Sequence, residues 1–148
     1  MCQRLTVKDT GYFLVTINPK VDFSMDVWQQ LHTLATYLCG LKVVPMDAWW
    51  VLEQRSEDVR NPHGPHMHML IEANSLKKSD VLKRVQSAVQ KQKWGYESNV
   101  DIRHRSKASL DYIKGDKSSD KTAKLDVDRR LRDHYGYEHW YQKSVMDL

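Results

Sequence analysis

Cysteine is scarce in this chain. Cys2 and Cys39 are the only two in 148 residues, too few and too far apart for a disulfide framework or a thiolate zinc site. That argues against thiol redox chemistry and suits a reducing compartment. Long apolar runs are also missing. None approaches the roughly 20 residues that span a bilayer, and the opening "MCQRLTVKDTGYF" has no apolar segment of the kind signal peptides carry. A soluble, intracellular protein with no membrane partner is the expectation. No repeat, low-complexity tract or linker interrupts the chain, so residues 1–148 read as one domain, long enough to bury its own core. The phosphate-loop pattern G-x-x-x-x-G-K-[ST] is absent as well.

What is present is basic. The formal net charge is +4, with Lys and Arg gathered in "KSDVLKRVQSAVQKQK", "IRHRSK" and "KTAKLDVDRRLR". Such clusters fit a polyanion as partner, although solvated helix faces give the same composition.

Periodicity divides the chain into alternating elements. "YFLVTINP" is β-branched and aromatic and ends at Pro19, which predicts a strand. Ser24 is placed to cap "MDVWQQLHTLATYLCG", whose Val27, Leu31, Leu34 and Leu38 have helical spacing, with Gly40 as the stop. "DAWWVLEQ" reads as a strand apolar on both faces until Glu53. The polar "SEDVRNPHGP" then connects it, as a hairpin, to the strand "HMHMLIE". "LKKSDVLKRVQSAVQKQ" is amphipathic through Val81, Leu82, Val85, Ala88 and Val89, "SNVDIRHR" is a further strand, and "KASLDYIKG" is a short helix stopped by Gly115. The order βαββαβα predicts an α+β fold, a central, mainly antiparallel sheet with helices packed against it. The basic and aromatic segment at about 118–148 fits either a single-strand channel or a terminal helix docked through Val127 and Leu131 with Trp140 beyond it. Docking is preferred.

The His-x-His of the third strand is the most informative feature. Side chains alternate along a strand, so His66, His68 and Leu70 share one face, and Met67, Met69 and Ile71 the other, which reads as core. Two imidazoles at i and i+2 lie about 7 Å apart at Cα and can converge on one cation. A hairpin brings Glu53 beside them, at an apolar position where a carboxylate is costly unless a cation compensates it. Two neutral imidazoles and one carboxylate suit Mn²⁺ or Mg²⁺ polarising a phosphate oxygen. Glu72 shares the histidine face by parity, and His63 is a weaker fourth candidate. The plainer alternative is a pair of water-bonded histidines on a half-open sheet.

"PHMHMLIE" resembles the metal-binding motif of the HUH endonucleases, two His separated by one bulky apolar residue on a central strand. "FLVTINP" is similar to the first motif of rolling-circle replication initiators. "LDYIKGDK" looks like the third, a nucleophilic tyrosine on a helix followed by a lysine. Together the three motifs span about residues 13 to 117. The resemblance implies an RRM-like HUH fold and metal-dependent nicking and joining of single-stranded DNA at a replication origin. Tyr112 would form the 5′-phosphotyrosine intermediate, and Asn18, Lys20, Arg103 and Arg105 would contact DNA. A free phenol titrates near about 10, so the attacking form needs a metal or a nearby cation. Viral initiators carry Tyr-x-x-Lys, but Gly115 stands at the third position here. That leaves Lys114 and Lys117 as candidate helpers, Lys117 preferred because a helix ending at Gly115 lets it fold back. With no phosphate loop in the chain, a helicase is expected from another domain or protein.

Two other readings compete. The motif also resembles small HUH transposases of insertion sequences, which take the third ligand from the tyrosine helix, whereas Glu53 precedes the motif. A non-enzymatic RRM-like module shares the βαββαβ order but lacks the aromatic-rich RNP1 strand here.

Overall fold

The β-branched run that opens the described part of the chain forms β1, Tyr12–Pro19, in a computed structural model that describes residues 11–20, 25–42, 44, 46–54, 65–73, 76–92, 98–115 and 122–145. Helix α1 is Met25–Cys39, β2 is Ala48–Glu53, β3 is His66–Glu72, α2 is Lys78–Lys91 and β4 is Ser98–Arg105. The short α3 is Ala108–Ile113, α4 is Thr122–Tyr135 and β5 is Tyr141–Gln142, followed by a 3₁₀ turn at Lys143–Val145. Every predicted element forms. The proposed Ser24 cap and the 55–64 connection lie outside the described residues.

All strand pairs are antiparallel, in the order β4-β1-β3-β2-β5, so β1 and β3 occupy the middle and take no water on either edge. The register sets Glu53 opposite His66 and Val51 opposite His68, with Thr16 across from His68 on the other side. Helices pack against this sheet, giving the α+β class.

Alternation gives the sheet two unlike faces. One presents Phe13, Val15, Ile17, Trp50, Leu52, Met67, Met69 and Ile71, which join Val27, Leu31, Leu34 and Leu38 of α1 and Val81, Val85 and Ala88 of α2 in the main core. Each fully buried leucine or isoleucine there contributes roughly 1.5–3 kcal/mol. A smaller apolar cluster on the opposite face joins Trp49, Val51 and Leu70 to Ile113 of α3, with Leu14, Leu110 and Trp140 packed around it. Because α3 covers this face, β2 is buried at all six positions. A half-open sheet would leave its alternate residues wet.

The C-terminal segment docks. Leu131 joins the main core and Val127 packs against it. Tyr141 stacks on Trp50 with ring centroids 5.2 Å apart, and Tyr137 stacks on Trp28 at 5.8 Å. Asp47 pins the end of this segment, accepting from the Ser144 N–H at 3.0 Å and the Gln142 amide at 2.6 Å. These two tyrosine rings pack against the core.

A buried thiol and a half-buried imidazole follow from this packing. Burial pushes the Cys39 thiol up to about 12, so it is inert as a nucleophile. Burial also holds His32 below the ordinary imidazole value, between Tyr137 and Tyr141. A base with a lowered folded-state pKa favours folding above its unfolded value, about 6.5, and that contribution is lost as pH falls. The difference in denaturation midpoint between pH 7.5 and pH 5 is therefore expected to shrink in His32→Gln, as measured by urea titration followed by circular dichroism. An unchanged difference would remove His32 from the account. Among the described residues no helix is long and apolar enough to cross a membrane.

Candidate metal centre and the neighbouring tyrosine

Three side chains predicted to meet do meet. Glu53 ends β2, His66 begins β3 and His68 follows on the same face. Their ligand atoms all lie within 4.8 Å of one another, and all three residues are buried. His66 Nε2 is 3.5 Å from Glu53 Oε2, and the two imidazole rings stand edge to face at 5.0 Å. The group could hold a metal ion. Glu53 has no exposed surface, and a buried carboxylate costs several kcal/mol unless charge and hydrogen bonds offset it. A cation held by the two imidazoles and that carboxylate would do so.

Parity also puts Glu72 on this face, but two residues beyond Leu70 and opposite Tyr12. The Tyr12 phenol is pushed up by burial and then by the Glu72 carboxylate, which marks where that carboxylate sits. Glu53 rather than Glu72 is the acid of the cluster. His63 lies outside the described residues.

The surroundings hold the ligands in place. Thr16 Oγ1 and His68 Nδ1 are hydrogen-bonded at 2.8 Å, a contact that fixes the ring plane. On the β2 side α4 holds the residues on either side of Glu53, and α1 adds a bond to the second of them. Arg132 Nε donates to the Leu52 carbonyl at 2.8 Å, and the Gln54 N–H donates to Asp128 Oδ1 at 2.8 Å. Trp28 Nε1 donates to Gln54 Oε1 at 3.0 Å. Burial pushes the Arg132 guanidinium below its ordinary value, while the Asp128 and Glu53 carboxylates oppose that shift. Arg132 is thus a buried cation facing Glu53 from behind. This clamp is the part of the site that the sequence reading missed. Its signal was the Asp128–Arg132 spacing of four, one helical turn, beside Val127 and Leu131 on the docking face.

Tyr112 comes to the same place from another direction. Helix α3 packs on β3 and β2 through Leu110 and Ile113, and this seats the Tyr112 ring 6.2 Å from the His68 ring, edge to face. The helix ends where expected, with Gly115 at a φ of 99°, a conformation that favours glycine. Lys114, just past the helix, has its Nζ 4.7 Å from the centre of the Trp140 ring. Lys117 lies outside the described residues.

Beside the cluster, β1 and β4 form an open groove of about 600 Å³ lined by Thr16, Asn18, His68, Asn99, Arg103 and Arg105 among others. Three of the four candidate DNA contacts, Asn18, Arg103 and Arg105, therefore share one concavity that begins at a histidine of the cluster. Lys20 is exposed just past β1 and is not among its lining residues. Arg103 Nε lies 2.8 Å from Asp101 Oδ2, both well exposed, a pair of the kind that contributes about 0–1 kcal/mol and yields readily to a phosphate.

No protein-family model, curated protein or solved structure matches the chain.

Proposed function

We propose that this chain is an HUH-type nicking domain that cleaves and rejoins single-stranded DNA through Tyr112, as replication initiators of rolling-circle type do. The observation that carries the reading is the Tyr112 ring beside His68, a member of the buried Glu53–His66–His68 group. A tyrosine and a metal-ligand set from elements far apart in sequence meet on one face of the sheet, next to a groove with two arginines.

In this reading the strand lies in the β1–β4 groove, with Arg103 and Arg105 on its phosphates and Asn18 beside them. The Tyr112 phenol oxygen attacks the scissile phosphorus, the bond from phosphorus to the 3′ oxygen breaks, and that oxygen leaves as a 3′-hydroxyl after taking up a proton. The phenol proton passes to a base or to water. The phosphate ends on Tyr112 as a phosphodiester, which preserves the bond energy for rejoining to another 3′-hydroxyl. Mn²⁺ or Mg²⁺ bound at Glu53, His66 and His68 would offset the negative charge that builds on the phosphate oxygens during attack. Thr16 keeps His68 oriented, Arg132 and Asp128 keep Glu53 at the end of its strand, and Leu110 and Ile113 hold α3 against the sheet so that Tyr112 stays near. Lys114 and Lys117 remain the cations that could assist the phenol. A carboxylate donated by β2, ahead of the His-x-His, favours an initiator over a transposase that draws its third ligand from the tyrosine helix.

The products test the reading. Single-stranded DNA of randomised sequence incubated with the protein and Mn²⁺ should yield fragments whose 3′ ends a polymerase can extend and whose 5′ ends resist a 5′ exonuclease and migrate with the protein on denaturing gels until protease is added. Fragments with free 5′ phosphates would instead indicate hydrolysis by a metal-bound water. Intact DNA retained on the protein would indicate a binding module.

Binding and chemistry should also separate. Association with single strands is expected to survive chelation of the metal and to weaken with salt, because arginines act on phosphates throughout while the cation acts at one bond. Arg103→Gln should reduce the slope of log affinity against log salt by about 0.7, the value for one phosphate contact on a single strand. Fluorescence anisotropy over a salt series measures it, and affinity insensitive to ionic strength would refute the arginine groove.

A further inference from the structure

A second cavity lies on the other side of the ligand cluster. Its volume is about 320 Å³, and it is lined by Glu53, Lys114, Gly115, Arg129, Arg132 and Trp140 among others. Three cations line it, Lys114 just past α3 and Arg129 and Arg132 of α4, with a single carboxylate, Glu53. The histidine of the lining, His139, is turned to Asp133, with 3.4 Å between Nε2 and Oδ1. Arg132 is only 2% exposed, and its Nη2 is buried with no hydrogen-bond partner among the described residues. A buried guanidinium N–H in that condition costs free energy unless an acceptor comes to it. A phosphate is the acceptor that a planar guanidinium fork accommodates best.

Each cavity is lined by one member of the cluster. His68 lines the groove, Glu53 lines this pocket, and the ligand atoms of the two residues are within 4.8 Å of each other. A strand whose scissile phosphate rests at the cluster has its flanking phosphates on both sides, one toward Arg103 and the other toward Arg129 and Arg132.

We propose that the pocket between α3 and α4 is a phosphate subsite for the same single strand, taking the backbone on the side of the scissile bond opposite the β1–β4 groove, with Arg129 and Arg132 as its donors and Trp140 beside the adjoining nucleotide. The proposal rests on the single-strand cleavage reading and extends it by giving the strand a second anchorage. Holding the strand at both flanks fixes the scissile phosphate between them, and α4 becomes part of the DNA-binding surface as well as the support of Glu53.

Arg129 is exposed, so its replacement tests the subsite without disturbing the buried clamp. Binding of a single-stranded oligonucleotide by metal-free protein is measured by fluorescence anisotropy across a salt series for wild type, Arg129→Gln, Arg129→Lys and Arg129→Gln/Arg103→Gln. The expected result is a slope reduced by about 0.7 in Arg129→Gln, restored in Arg129→Lys, and reduced by about twice that in the double variant. Oligonucleotides carrying 5-bromodeoxyuridine should photo-crosslink to the peptide containing Trp140 in wild type and less in Arg129→Gln. Wild-type binding with an unchanged slope in Arg129→Gln, or crosslinks that never reach the Trp140 peptide, overturns the subsite and leaves the cleavage reading standing. A deoxynucleoside 5′-monophosphate that protects Trp140 from crosslinking while leaving strand affinity intact overturns it in favour of a free-nucleotide site. A wild-type protein that binds no single strand overturns both readings.

Discussion

Tyr112→Phe is expected to eliminate the covalent protein–DNA adduct completely while leaving single-strand binding and metal binding within about a factor of two of wild type. The substitution removes one hydroxyl and keeps the ring, and the ring is what sits beside His68. Packing is therefore preserved, and the stability cost is small unless the hydroxyl holds a buried hydrogen bond, in which case roughly 1–3 kcal/mol is lost. Chemistry has no substitute, since the account gives no other group the role of forming the phosphodiester. The comparison that makes the result specific is His68→Ala, which keeps the phenol and removes a metal ligand. It should also lose cleavage, but Tyr112→Phe alone should retain Mn²⁺ affinity. Adduct on denaturing gels of Tyr112→Phe would transfer the nucleophile to another tyrosine, with Tyr96 and Tyr135 the next to replace.

The second large effect concerns the metal. Loss of a group that only orients a ligand typically costs 10–100-fold in metal affinity, so removing a direct ligand in Glu53→Ala is expected to exceed about 100-fold. Glu72→Ala, on the same face but opposite Tyr12, should change nothing. Acidification should weaken Mn²⁺ in wild type because imidazole coordinates only as the neutral ring. Titration calorimetry with Mn²⁺ reads all three. Equal losses in Glu53→Ala and Glu72→Ala, or none in either, would disprove the assignment of Glu53 as the third ligand.

Local pattern made much of this legible in advance. The parity of "HMHMLIE" divided β3 into a core face of Met67, Met69 and Ile71 and an opposite face of His66 and His68, and the hairpin placed Glu53 opposite His66. Those are consequences of the two-residue repeat and one antiparallel pairing, both of which are short-range. The helical spacing of Val27, Leu31, Leu34 and Leu38 likewise identified the face of α1 that enters the core. Long-range packing was less accessible. Parity could not choose between Glu53 and Glu72, because both satisfy it, and only the register puts Glu72 beside Tyr12. A half-open sheet was a fair alternative for the histidines until α3 was seen to fold over their face through Leu110 and Ile113. The clamp at the end of β2 was missed because "VDRRLRD" reads as a basic solvated stretch, while Asp128 and Arg132 are in fact buried and bond to residues more than 70 positions earlier in the chain. Charge read by composition hid two side chains whose role is set by docking. The lysine that would assist Tyr112 is undecided for a different reason: Lys114 sits against Trp140, and Lys117 lies outside the described residues.

The central claim is that Tyr112 becomes covalently attached to a 5′ DNA end at the Glu53–His66–His68 site. The most direct measurement is mass spectrometry of the adduct formed by wild-type protein with a pool of single-stranded oligonucleotides and Mn²⁺, after nuclease and protease digestion. The account predicts a nucleotide linked through its 5′ phosphate to the peptide bearing Tyr112, absent when Mn²⁺ is chelated. A nucleotide on any other residue, or no adduct on any sequence from a protein that binds both Mn²⁺ and single strands, would contradict it.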